Sequence, residues 1–118
     1  MLLDRLGRLG QRLPSMQALS LIDGDGIPVE SIAMQPDLDL EGLAAEVLTQ
    51  LRAIDDSLRE LEVGSLESLS VSTTERVIMV SSVVSGYFLL LVLGVDANLG
   101  RARFELNRAR LLLEDDLR

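Results

Sequence analysis

Nineteen consecutive residues, Val77 to Val95, carry no formal charge, with Arg76 and Asp96 at either end. As an α-helix the run would be about 28 Å long, near the roughly 30 Å hydrocarbon core of a bilayer, so length alone permits a transmembrane span. Composition argues against it. Seven of the nineteen are β-branched Val or Ile, and Ser85-Gly86 puts a turn signal between two stretches of strand length. Apolar runs such as Tyr87 to Leu93 are what strands buried on both faces look like. A hairpin is therefore expected, with no membrane insertion.

The missing residue types narrow the chemistry further. His, Cys, Lys and Trp are absent from the 118 residues, and all eleven basic residues are arginine. A Ser-His-Asp or Cys-His nucleophile, a Schiff-base lysine, a phosphate-loop lysine and a His/Cys zinc site are all excluded. Acids are plentiful, but none stands in a pattern suited to acid/base work. The chain is expected to have no catalytic residue and no cofactor. With no cysteine and no uninterrupted apolar segment at the start, the expected location is the cytoplasm.

Charge is uneven along the chain. Residues 14 to 75 hold thirteen acids against Arg52 and Arg59, whereas both ends are slightly basic. So acidic a middle, with only three aromatic residues, makes nucleic acid a poor partner, because phosphate neutralisation supplies most of that affinity. Protein surfaces are the natural alternative.

The elements follow from periodicity. Leu2, Leu6, Leu9 and Leu13 recur at helical spacing with Arg5, Arg8 and Arg12 opposite, predicting a first helix that ends at Pro14. It suits packing on the domain's own sheet; a basic membrane-surface helix is the alternative. "MQALSLIDGDGIPVESIA" reads as two strands around Asp-Gly turn signals. A calcium loop fails there in both registers, since neither puts oxygen ligands and a glycine where they are needed.

A long helix is predicted over "LEGLAAEVLTQLRAIDDSLRELEVG", capped by Asp37 or Asp39 and ended by Gly64. Leu40, Val47, Ile54 and Leu61 form one seven-spaced row and Ala44, Leu51 and Leu58 another, with Leu43 and Leu48 widening the stripe. A stripe this broad suits a helix that covers a sheet and still touches something else. "SLESLSVSTTERVIMVSS" gives two strands, the first with serines along one side as at a sheet edge. The last helix, from a cap at Asp96, places Leu99, Ala102, Leu106, Ala109, Leu113 and Leu117 on one face; Glu105 and Glu114 stand four residues after Arg101 and Arg110 in a salt-bridged surface.

The order helix, strand, strand, helix, strand, strand, strand, helix resembles the roadblock/dynein light-chain family, particularly its bacterial MglB-like members. The resemblance rests on "ALSLIDGDGIPVES", "LEGLAAEVLTQL" and above all "YFLLLVLGVDANLGRARFEL", with "DANLG" and Arg103 its most specific part. It implies an α+β fold: one domain over residues 1–118, with a five-stranded antiparallel sheet in the order 2-1-5-4-3. The middle helix would cover one face and the two terminal helices the other.

The resemblance further implies a homodimer paired through third strands and middle helices, here through Leu69, Val71, Leu51 and Leu58. Such dimers bind a small Ras-like GTPase and stimulate its hydrolysis of GTP without supplying a catalytic group. The corresponding partner-binding residues would be Glu41, Ala45, Arg52, Asp55, Asp56 and Arg59. GTPase-binding members often carry small residues on the outer face of the middle helix, and the charged Arg52, Asp55, Asp56 and Arg59 look like a departure. A dimeric scaffold without effect on hydrolysis and, behind it, a small-ligand sensor are the other readings.

Overall fold

The computed structural model describes residues 7, 8 and 12–117. The first helix expected before Pro14 falls largely outside the described residues. Five strands form one antiparallel sheet: β1 (Met16–Ile22), β2 (Pro28–Ala33), β3 (Ser68–Ser72), β4 (Arg76–Val83) and β5 (Tyr87–Gly94). Their order is β2-β1-β5-β4-β3. Helix α1 (Leu40–Glu60) lies between β2 and β3 in sequence, and α2 (Leu99–Leu117) follows β5.

The uncharged run is a hairpin. Arg76 pairs with Gly94 and Val83 with Tyr87, and the connection is a short 3-10 turn, Val84–Gly86. Ser85 and Gly86 take positive φ values of 68° and 79°, the left-handed region that reverses the chain in so few residues. Among the described residues no helix is long and apolar enough to cross a membrane.

Alternation along the strands divides the core into two layers. Leu19, Leu21, Val77, Met79, Leu89, Leu91 and Leu93 face α2, where Ala102, Leu106, Ala109 and Leu113 meet them. Ile22, Val80 and Leu90 face the other way, towards Ala44, Leu48 and Leu51 of α1. The central strands β1 and β5 are buried on both faces, which is why their sequences lack polar alternation.

The ends of the helices differ in detail from the sequence reading. Of the two candidate caps for α1, Asp39 is the one used: its side chain accepts from the Gly42 amide at 3.0 Å. α1 stops at Glu60 rather than running to Gly64. Glu62 takes φ 61°, its amide bonds Arg59 O, and the Val63 amide reaches back to Leu58 O, a Schellman closure with glutamate in the left-handed position. Asn98, and not Asp96, caps α2, its Oδ1 accepting from the Arg101 amide at 3.0 Å.

Asp23 makes the first hairpin turn by accepting from the Asp25 and Ile27 amides through one carboxylate oxygen. Asp-Gly here is turn chemistry. Gly26, at φ 82°, lies against α1: a Cβ there would sit 3.3 Å from Leu48 Cδ2 and 3.4 Å from Ala45 Cα.

Candidate functional site

Where α1 crosses the sheet determines what it presents. Ala45 lies beside Gly26 of the β1–β2 turn, and Arg52 Nη2 beside Gly24, whose Cβ position also faces the Gly86 carbonyl of the β4–β5 turn. Asp55 Oδ1 then accepts from the Leu66 amide, just before β3, at 2.7 Å. Helix α1 therefore runs across the strands, near the end of the sheet where the turns gather. Its two flanks look in opposite directions along the strands.

At about 100° per residue, the stripe Ala44, Leu48 and Leu51 points into the sheet. Glu41, Ala45, Arg52, Asp56 and Arg59 lie on the flank towards the turns. Leu43, Val47 and Ile54 lie on the flank towards the far half of the sheet. The direction pointing straight away from the sheet belongs to Glu46, Thr49, Ala53, Ser57 and Glu60, all exposed. Thr49 and Ser57 fold their hydroxyls back onto the carbonyls of Ala45 and Ala53, so this crest is smoother than its polarity suggests.

The residues expected to meet a partner thus form a flank and not the crest. Asp55 has a structural position in addition: besides the Leu66 amide it holds Arg59 Nε at 3.0 Å. The outer face, read from the sequence as carrying Arg52, Asp55, Asp56 and Arg59, carries the small residues Thr49, Ala53 and Ser57. Sequence reasoning missed them because seven-residue rows define a stripe without saying which of its borders faces away from the sheet.

The candidate dimer residues separate in the same way. Leu51 is buried under α1 with Leu48, Val80 and Leu90 and has no free surface, because its angle on the helix is that of the core stripe. Leu58 and Leu69 are half-buried. Val71 is 42% exposed and Ile54 38%. Register puts Val71 beside Ile78, and Leu69 beside Val80, so both leave the open edge strand on the α1 side of the sheet. An apolar border therefore runs from α1 onto an edge whose outer backbone groups lack a strand partner.

The opposite face of β3 is different. Ser68, Ser70 and Ser81, with Arg103, Phe104 and Arg110 of α2, line an open groove of about 480 Å³. Arg110 is held by Asn107 and Glu114, as the sequence spacing suggested for the acid. The expected Arg101–Glu105 pairing is replaced: Glu105 is only 3% exposed and lies 3.7 Å from Arg12 and 3.5 Å from Arg108. It sits inside the apolar stripe of α2, where Arg12 comes alongside.

Known structures with this architecture decide its class. The Roadblock/LC7 domain from Streptomyces avermitilis superposes with TM-score 0.84 at 20% identity, covering 94% of this chain and 92% of that one. The gliding protein MglB from Thermus thermophilus does so at 0.86 and 18% identity, over 97% and 86%. The fold is that of the Roadblock/LC7 domain. MglC from Myxococcus xanthus, at 27% identity and TM-score 0.72, matches this chain over 98% of its length and 99% of its own. No protein-family model and no curated protein sequence matches it. The sheet order is the one expected of that fold, and Asn98 of "DANLG" serves as the helix cap.

Proposed function

We propose that this roadblock chain is a homodimeric regulator of a small Ras-like GTPase, joined through β3 and the apolar flank of α1, and that it has no active site of its own. The observation that carries the reading is the apolar border of Ile54, Leu58 and Val71 along an open edge strand. A twofold axis there would extend the sheet and cover that border in one step, leaving the crests of two α1 helices side by side. Edge strands that expose apolar side chains are otherwise prone to unspecific pairing.

The joint crest, with Thr49, Ala53 and Ser57 between Glu46 and Glu60, is the surface offered to the GTPase. Glu41, Arg52 and Asp56 border it. Small side chains admit close approach of another backbone, and the acids favour a basic rim on the partner. Stimulation of hydrolysis would then come from rearranging the GTPase's own groups. A dimeric scaffold is the second reading, supported by the same edge.

The test combines assembly and binding. Ile54→Glu is expected to convert the dimer to a monomer in size exclusion with light scattering. Ala53→Arg is expected to keep the dimer but weaken binding of a GTP-analogue-loaded Ras-like GTPase of the same organism tenfold or more, about 1.4 kcal/mol. Single-turnover hydrolysis then separates regulator from scaffold. A monomeric unmodified chain at tens of micromolar, or equal affinity for Ala53→Arg, would refute the reading.

A further inference from the structure

Among the described residues the sheet has a second open edge, β2, which the proposed dimer leaves untouched. Met34 donates its amide inward to Gln17 O at 2.7 Å. By strand alternation Ala33 and Ser31 turn their own N–H and C=O groups outward, away from β1, while Val29 stands at a β-bulge opposite Leu21 and Ile22. The side chains of these three residues are exposed as well. Three large apolar side chains bracket this ledge: Ile27 at 57% exposure, Val29 at 50% and Met34 at 54%.

The electrostatic setting is mainly acidic, with Arg52 reaching Gly24 of the β1–β2 turn. From Leu13 to Leu51 there is no basic residue, while Asp23, Asp25, Glu30, Asp37, Asp39, Glu41 and Glu46 all fall within that span. Edge strands are commonly guarded by an outward lysine or by a proline within the exposed run. Here Pro28 stands only at the first position, and the outward-facing residues are Val, Ser and Ala. The edge thus lacks an outward lysine, is bulged beside Val29 and carries Glu30 on its inner side, and it lies among acidic residues.

We propose that β2 is a docking edge for an extended, basic segment of a partner protein, which adds to the sheet as a sixth strand. Main-chain hydrogen bonds to Ser31 and Ala33 supply register. Alternate apolar side chains of the segment cover Val29 and the neighbouring Ile27 and Met34, and its Arg or Lys residues meet Asp25 and Asp37 at the two ends of the strand. Such strand addition takes affinity from the backbone and specificity from alternate side chains. It engages the side of the sheet opposite β3, so a dimer would carry two such edges at its outer ends.

The experiment uses the full chain and a fluorescein-labelled nonapeptide alternating Val with Arg, read by fluorescence anisotropy against the same peptide with Glu for Arg. Saturable binding is expected for the Arg peptide only, falling as salt rises. Ala33→Pro removes one outward N–H without touching the β1 ladder and is expected to weaken binding at least tenfold with an unchanged melting temperature. Asp25→Asn with Asp37→Asn is expected to weaken it about threefold and flatten the salt dependence. Val71→Pro, at the other edge, should leave it unchanged. The proposal is overturned by equal binding of the Glu peptide, by indifference to Ala33→Pro, or by sensitivity to Val71→Pro instead. It is also overturned if Ala33→Pro abolishes association beyond the dimer while no peptide binds, which would make a second copy the occupant.

Discussion

The carboxylate of Asp55 accepts from the amide of Leu66 at 2.7 Å, eleven residues along the chain, and so ties the end of α1 to the start of β3. Between these two residues the chain makes its Schellman closure and turns onto the sheet edge on which the proposed dimer depends.

Replacing Asp55 by Ala leaves the half-buried Leu66 amide without its acceptor, and the loss of stability is expected to be on the order of 1–3 kcal/mol. Asp56→Ala, on the exposed neighbour, is expected to stay within about 0.5 kcal/mol. Urea unfolding of the two variants measures the difference. Charge reversal at Asp55 consequently reports on folding, and partner contacts must be probed at Asp56 or Ala53.

Glu62 holds a left-handed conformation that disfavours a side chain by about 1–2 kcal/mol. Glycine relieves this but adds roughly 0.5–1 kcal/mol of chain entropy to the unfolded state. Glu62→Gly is therefore expected to raise stability by about 0.5–1 kcal/mol, and Glu62→Val to lower it. Thermal melts at fixed protein concentration check both, and a lower midpoint for the glycine variant would contradict the closure described.

Glu105 is a carboxylate inside an apolar stripe, with Oε2 lacking any hydrogen bond and both arginine neighbours partly solvated. Desolvation opposes it, and long ion pairs return little. Glu105→Met is expected to be neutral or stabilising by up to about 2 kcal/mol, whereas removing Arg12 and Arg108 together leaves the charge stranded and is expected to destabilise. Chemical denaturation of the two variants would give opposite signs.

Much of this architecture was legible before any coordinates. Asp23-Gly24 and Ser85-Gly86 announced their turns because few backbones other than a tight reversal suit such pairs, and the β-branched content of Val77 to Val95 opposed a helix. Partners distant in sequence were illegible. Nothing near Glu105 shows that Arg12 comes alongside, so the spacing to Arg101 suggested a pairing that the fold does not make. Leu51 belonged visibly to a broad stripe, yet only the crossing direction of α1 decides that it is core while Ile54 is border. The crest of Thr49, Ala53 and Ser57 was hidden for the same reason. At the helix ends the most familiar signal was the wrong one: Gly64 and Asp96 stand two residues beyond and two before the positions that form the caps.

The two strands at the middle of the sheet, β1 and β5, come from opposite ends of the chain, with Leu19 paired to Leu91. About seventy residues must be synthesised after β1 before it acquires its second neighbour. Until then the β1–β2 hairpin offers an apolar strand to any other chain within reach. Folding should accordingly be slow for so small a domain, limited by closing a loop of about seventy residues, and yield should depend on how crowded the nascent chains are. Joining the termini and opening the chain between β2 and β5 would shorten that closure to about forty-five residues, through α2, and refolding should accelerate with the native contacts unchanged.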